Sequence, residues 1–333
     1  MGSHLSLKEI VAKLASCRGL IPIDLDVEKR ELIWRDLGQF HNYEGFFSTS
    51  LAMFAQLKAR GNQKETEDDP RTDLDVLESD EILSDCIYPS AFIFHAGRCG
   101  STLLSKALAR SRANLVFGEA EAHNKIWAAF TNDWQSEPVF GEEQRLLYRH
   151  LILAMGRRRL ETHKYHVIKF TSTNILLFDL IRSVFPDVPA IFIYRKPEAI
   201  LRSFINRPPG WYTTRSAPLK AFVAGIDSDL CESEFYHRAV TRFFSRALDA
   251  EKDGLRFLNY QRLTAENLPT ILAALNIAAD SDQLKLMQDQ FEYDSKTEYK
   301  LKVHQKSELP QNTEVSNHLQ GLHDRLAGSD QNI

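Results

Sequence analysis

This chain has no excess of basic residues: 41 Lys and Arg stand against 45 Asp and Glu, a formal net charge of −4. Nucleic-acid binders gather phosphates with a global positive field, so nucleic acid is not an expected partner. Cysteine is scarce. Cys17, Cys86, Cys99 and Cys231 are too widely spaced for a disulfide framework, which points to a reducing, cytoplasmic setting. The 11 His are scattered and none stands at zinc spacing to a Cys, so no metal is expected. No apolar run approaches the roughly 18 residues of a membrane span, and no signal-peptide pattern opens the chain. Internal repeats and low-complexity tracts are also missing. What is left is ordinary globular composition, 43% hydrophobic and 10% aromatic over 333 residues, ample for a large core in one or two domains.

Against that background one stretch carries chemistry. Ala91-Phe-Ile-Phe94 is a short buried-strand pattern, followed by His95, Ala96 and the turn Gly97-Arg98-Cys99-Gly100. Ser101 and Thr102 then open a helix whose Leu103, Leu104, Ala107 and Leu108 recur at helical spacing. The first amides of a helix have no partner within it, and its dipole is positive there, so a glycine turn running into a helix makes an anion cradle. Arg98 adds a full charge and the two hydroxyls add donors. The cradle is not a nucleoside-triphosphate loop, because no Lys follows Gly100, and it is not a dinucleotide fingerprint.

A second constellation lies downstream. Tyr165 to Thr171 reads as a strand ending in Lys169, and Asn174 to Phe185 has apolar residues at helical spacing. Ala190-Ile-Phe-Ile-Tyr194 is another buried strand, closed by Arg195-Lys196-Pro197 before a helix that carries Arg202 and Ser203. An ATP-using enzyme places a magnesium-binding Asp at such a strand end; a cation there calls for a second phosphate group.

These residues resemble the sulfotransferases that use 3′-phosphoadenosine 5′-phosphosulfate (PAPS), in the bacterial and tyrosylprotein-type branch. Gly97 to Thr102 looks like their 5′-phosphosulfate loop. Arg195 and Ser203 stand eight positions apart, the spacing of the family's 3′-phosphate pair. Leu255 to Leu263 is similar to a later strand motif whose Tyr lies near the adenine, here Tyr260. The resemblance covers about Ile87 to Leu263, with a weaker echo from Tyr293 to Lys306. It departs at Cys99, where the family carries Ser, leaving only the backbone amide. It departs again at Lys169-Phe170-Thr171, which lacks the catalytic His of the cytosolic branch.

The resemblance implies a P-loop-type α/β fold, a parallel sheet flanked by helices on both faces, with a small N-terminal α+β appendage. It also implies PAPS as co-substrate and a small-molecule or carrier-bound acceptor. Arg98, Cys99, Gly100, Ser101, Thr102, Arg195, Ser203 and Tyr260 are the implied nucleotide contacts, and Lys169 the residue that offsets charge on the transferring group. The Val116-Phe-Gly-Glu-Ala-Glu121 segment matches one that carries a catalytic Glu; Glu119 is the first choice for the base and Glu121 the second. Ordinary roles stand beside these: a helix-capping Glu, a solvent lysine at a strand end, an ion-paired Arg195, a core Tyr260. The competing functions are a P-loop small-molecule kinase and a non-catalytic nucleotide-binding protein on the same scaffold.

Residues 1–85 fall outside the resemblance and 86–333 form the transferase-like domain. In the first segment Leu5 to Ser16 and Phe46 to Arg60 read as helices, Leu20 to Leu37 as a hairpin, and the acidic Gly61 to Asp85 as a loop or partly disordered connection. Gly156-Arg-Arg-Arg159 reads as a helix end or a solvated basic face. Arg207-Pro-Pro-Gly-Trp-Tyr212 is a stiff turn, either packed or lining an acceptor pocket. In the resemblance Lys302 or Lys306 closes over the nucleotide.

Overall fold

The structure is a computed structural model and describes residues 3–60, 69–136, 138, 140–213, 216–226, 230–293 and 315–329. In chain order its elements are α1 (Leu7–Ser16), β1 (Leu20–Asp26), β2 (Glu31–Asp36), α2 (Phe47–Arg60), β3 (Arg71–Asp73), β4 (Pro89–His95), α3 (Ser101–Ala109), β5 (Asn114–Gly118), α4 (Glu121–Phe130) and α5 (Glu142–Met155). Then follow β6 (Tyr165–Lys169), α6 (Phe178–Val184), β7 (Ala190–Tyr194), α7 (Pro197–Asn206), α8 (Gly210–Thr213), α9 (Ala217–Ala224), α10 (Glu232–Ala250), β8 (Leu255–Asn259), α11 (Leu268–Ala274), α12 (Ser281–Asp289) and α13 (Asn317–Ser329). The expected alternation is present: a five-stranded parallel sheet of order β5-β6-β4-β7-β8, flanked by helices, and a three-stranded sheet of order β1-β2-β3 near the N-terminus. The chain divides into two compact units, Met1–Ser90 with Arg112–Ile168 and Ala91–Ser111 with Lys169–Ile333. Lys300, Lys302 and Lys306 lie outside the described residues.

The second unit owes its core to aromatic packing on apolar strands. Phe94 stacks on Phe170 at 4.5 Å and meets Phe178 edge-on at 5.4 Å, and Phe92 lies 5.1 Å from Phe170. β4 pairs parallel with β7 from Phe92↔Ala190 to His95↔Ile193, and β7 with β8 from Ala190↔Leu255 to Tyr194↔Asn259. This register brings the carboxyl ends of the three strands level. The chain leaving each of them therefore emerges on one edge, where open α/β sheets bind ligands.

In the first unit, α1 is opened by a capping box: the Glu9 carboxylate accepts from the Ser6 amide at 2.9 Å, and Ser6 Oγ accepts from the Glu9 amide. The described part of the acidic connection is folded, not loose. It forms β3 and two 3₁₀ turns, Leu74–Glu78 and Asp80–Leu83, and buries Leu74, Val76, Leu77 and Ile82. Burying each such side chain contributes roughly 1.5–3 kcal/mol, which outweighs the local acidity. The basic triplet is also not a solvated face. Arg157 and Arg159 are each only 3% exposed. Arg157 donates to the carbonyls of Leu14 (2.7 Å) and Ser84 (2.9 Å), and Arg159 to the carbonyl of Phe40 and to Asn42 Oδ1 (3.0 Å). These guanidiniums tie chain segments together within the unit, and burial pulls the pKa of Arg159 down to about 10.

Candidate active site

The turn after β4 is built from left-handed backbone. Gly97, Arg98 and Gly100 have φ of 84°, 54° and 83°. A Cβ on Gly100 would come within 2.9 Å of the Tyr260 ring and 2.8 Å of Leu263, so glycine is required there by both conformation and space. The helical ladder of α3 begins with the Leu104 amide bonded to the Gly100 carbonyl at 3.2 Å. The amides of Ser101, Thr102 and Leu103 thus precede it, and Gly100 at the N-cap has no side chain to cap them. Ser101 is buried and Thr102 half-buried. A glycine turn running into a helix start is the arrangement expected of an anion cradle.

Two side chains of the turn bond to neighbouring backbone. Arg98, half-buried, donates through Nη2 to the Arg207 carbonyl at 2.6 Å, which links the turn to the end of α7. Cys99 is fully buried, with its Sγ 3.1 Å from the Ile193 carbonyl of β7. Burial pushes its thiol up to about 12. Cys99 therefore offers a ligand its backbone amide and not its sulfur, and at neutral pH it is no nucleophile.

The strand ends supply cations and an aromatic ring. Lys169, the last residue of β6, is 0% exposed, which removes the solvent-lysine alternative. Its ammonium acts on the Cys99 thiol, favouring the thiolate against the larger effect of burial, so it lies close to the turn. Arg195 leaves β7 and is half-buried; Pro197, the first residue of α7, ends the strand and starts the helix. Ser203 is half-buried further along α7. Tyr260, just past β8, is 36% exposed and is therefore not a core aromatic. Its ring carries the Arg195 guanidinium at 4.4 Å from the centroid. One face of the site thus runs from Gly100 through the Tyr260 ring to Arg195.

Glu119 and Glu121 belong to the other unit. Glu119 follows β5 with φ of 51°, an unusual conformation for a residue with a side chain, of the strained kind that clusters at functional sites. Glu121 is the first residue of α4, where a carboxylate balances the helix dipole. Both are half-buried. Glu121 thus has an ordinary place at a helix start, and Glu119 is the one of the two with left-handed backbone. Gly118 before it packs against the backbone at Gly45, whose carbonyl oxygen would lie 2.1 Å from an added Cβ. Asn42 Nδ2 donates to the Val116 carbonyl at 3.1 Å, and Phe47 meets Phe117 at 4.9 Å. Segment 42–47 thus braces the strand that presents Glu119.

In the Arg207–Tyr212 turn Pro209 and Trp211 are buried, while Arg207, Pro208 and Gly210 are exposed. Trp211 is buried against Phe204, Phe235 and Phe243, and its Nε1 donates to Ser172 Oγ at 2.8 Å. Among the described residues no group of three or more His, Cys, Asp or Glu is arranged to hold a metal. His95 is the residue at this site that composition and motif spacing pass over. Its Nδ1 accepts from the Gly97 amide at 3.0 Å and its Nε2 meets the Phe170 carbonyl at 2.9 Å. The signal was a lone imidazole inside an apolar strand.

No protein-family model matches the chain, and no curated protein matches it. Solved structures that it resembles are sulfotransferases. One is the sulfotransferase domain from the curacin biosynthetic pathway, 13% identical over 72% of this chain and 98% of that chain, with a TM-score of 0.45. Another is a sulfotransferase from Alicyclobacillus acidocaldarius, 14% identical over 62% of this chain and 94% of that chain, with a TM-score of 0.39. A mouse sulfotransferase complexed with PAP is 14% identical over 64% of this chain and 69% of that chain, with a TM-score of 0.35.

Proposed function

We propose that this protein is a PAPS-dependent sulfotransferase that moves a sulfonate group to the hydroxyl of a small-molecule or carrier-bound acceptor. The observation that carries the reading is that Gly100 and Arg195 both approach one exposed ring, that of Tyr260. That arrangement suits an adenosine bearing one phosphate in the cradle and another on a strand-end cation. The amides of Gly100, Ser101 and Thr102, with the amide of Cys99, hold the 5′-phosphate. Arg195 and Ser203 hold the 3′-phosphate, and Tyr260 lies beside the base.

In the transfer the acceptor oxygen forms a new bond to sulfur as the bond from sulfur to the 5′-phosphate oxygen breaks. The electron pair leaves on the bisphosphate. Lys169 and Arg98 offset the charge that builds on the sulfonate and on the bridging oxygen. Glu119 takes the acceptor's proton, with Glu121 the second choice. The protein's work is positioning and charge compensation, as in phosphoryl transfer. Residues 86–333 form the transferase domain in this reading and residues 1–85 its bracing arm. The four free thiols suit a reducing, cytoplasmic setting.

The test is calorimetric. Adenosine 3′,5′-bisphosphate should bind at least tenfold more tightly than ADP or ATP, because only the bisphosphate engages Arg195. Arg195→Ala should erase that preference. Equal binding of the three nucleotides by the unaltered protein would remove the 3′-phosphate role and the reading with it.

A further inference from the structure

His95 is buried, 5% exposed, at the last position of β4, one residue before the turn. Both of its ring nitrogens are engaged with backbone. A carbonyl oxygen only accepts, so the 2.9 Å contact with the Phe170 carbonyl makes Nε2 the donor. An amide N–H only donates, so the 3.0 Å contact from Gly97 makes Nδ1 the acceptor. These two bonds are met together by one species, the neutral imidazole with its proton on Nε2. The imidazolium would set one N–H against another.

The two backbone groups it joins are not equivalent. Gly97 is the first left-handed residue of the turn, immediately before Arg98. Phe170 is the residue immediately after Lys169, and its own amide bonds to the Ile93 carbonyl of β4 at 2.9 Å. We infer that His95 is a positioning residue: its neutral imidazole holds the phosphate turn in its left-handed form and fixes that turn against the strand end that carries Lys169. The inference rests on the sulfotransferase reading for what the turn binds. The geometry of the link stands without it.

Two conservative substitutions separate the halves of the link. In His95→Asn the side-chain oxygen takes the place of Nδ1 and keeps the bond from Gly97, but the side chain is too short to reach Phe170. In His95→Gln the amide nitrogen takes the place of Nε2 and keeps the bond to Phe170, while the Gly97 amide loses its acceptor. Calorimetry with adenosine 3′,5′-bisphosphate should then find His95→Asn within about threefold of the unaltered protein and His95→Gln weaker by about tenfold, the scale of one lost hydrogen bond. Melting temperatures of the two variants should not predict this order. Nitrogen NMR of the unaltered protein, labelled in its imidazoles, should show His95 as the neutral Nε2–H form, a readout that stands even if both variants misfold. Equal affinities in the two variants, a loss that simply follows melting temperature, or an Nδ1–H or charged His95 would overturn the inference. Failure of the unaltered protein to prefer the bisphosphate over ADP would instead count against the sulfotransferase reading.

Discussion

At the scale of single residues, the division of labour between the two glutamates is the sharpest claim. Glu121 opens α4, where a negative charge is favourable on structural grounds alone. Glu119 sits in a left-handed conformation that costs on the order of 1–2 kcal/mol. Glu119→Gln keeps the size and backbone and removes the proposed proton acceptor. It should leave bisphosphate affinity unchanged and lower turnover about a hundredfold, measured as bisphosphate released from PAPS across a panel of hydroxylated acceptors. Unchanged turnover, or a matching loss in Glu121→Gln alone, would move the base to Glu121.

At the scale of elements, the brace behind Glu119 is testable through Gly118. A methyl group there would lie 2.1 Å from the Gly45 carbonyl oxygen, a backbone atom, so something must shift. Gly118→Ala should destabilise the protein by roughly 1–3 kcal/mol, the usual cost of overpacking, and lower turnover with it. An unchanged urea midpoint would show that segment 42–47 does not press on β5. This brace also marks what the sequence conveys and what it does not. Strand β4, its turn and α3 were legible because apolar runs, glycines and hydroxyls are local signals, and Arg195 stood out because a cation closes an apolar strand. The burial of Arg157 and Arg159 was not legible. Their partners include carbonyls at Leu14, Phe40 and Ser84, far along the chain, and a backbone carbonyl leaves no mark in the amino-acid pattern. The same blindness hid His95, whose two ring nitrogens both meet backbone groups. The acidic connection misled for a different reason: its charge masked four aliphatic residues that find a core.

At the scale of the whole molecule, buried imidazoles govern the response to acid. Burial lowers the pKa of His123 and His163 to about 3 and of His166 to about 4. For His163, the nearby Arg159 acts in the same direction. All three are neutral in the fold, whereas the unfolded chain takes up a proton at each near pH 6.5. Their contribution is therefore complete above about pH 6.5 and declines as the pH falls toward 4 and 3, by up to about 1.4 kcal/mol per pH unit for each imidazole. Urea midpoints should fall between pH 7 and pH 5, before most carboxylates titrate. A flat profile over that range would mean that these rings carry charge in the folded protein.

The stacking of Arg195 on Tyr260 has an energetic consequence for whatever anion arrives. A free arginine arm loses rotamer freedom when it grips a ligand, at about 0.5–1.5 kcal/mol for an immobilised side chain. Here the ring has already narrowed those rotamers during folding, so that entropic cost falls on the stability of the protein instead of on its affinity. In the proposed function the guanidinium would meet its ligand as a rigid fork, and selectivity would follow from where the fork is aimed more than from the strength of its charge.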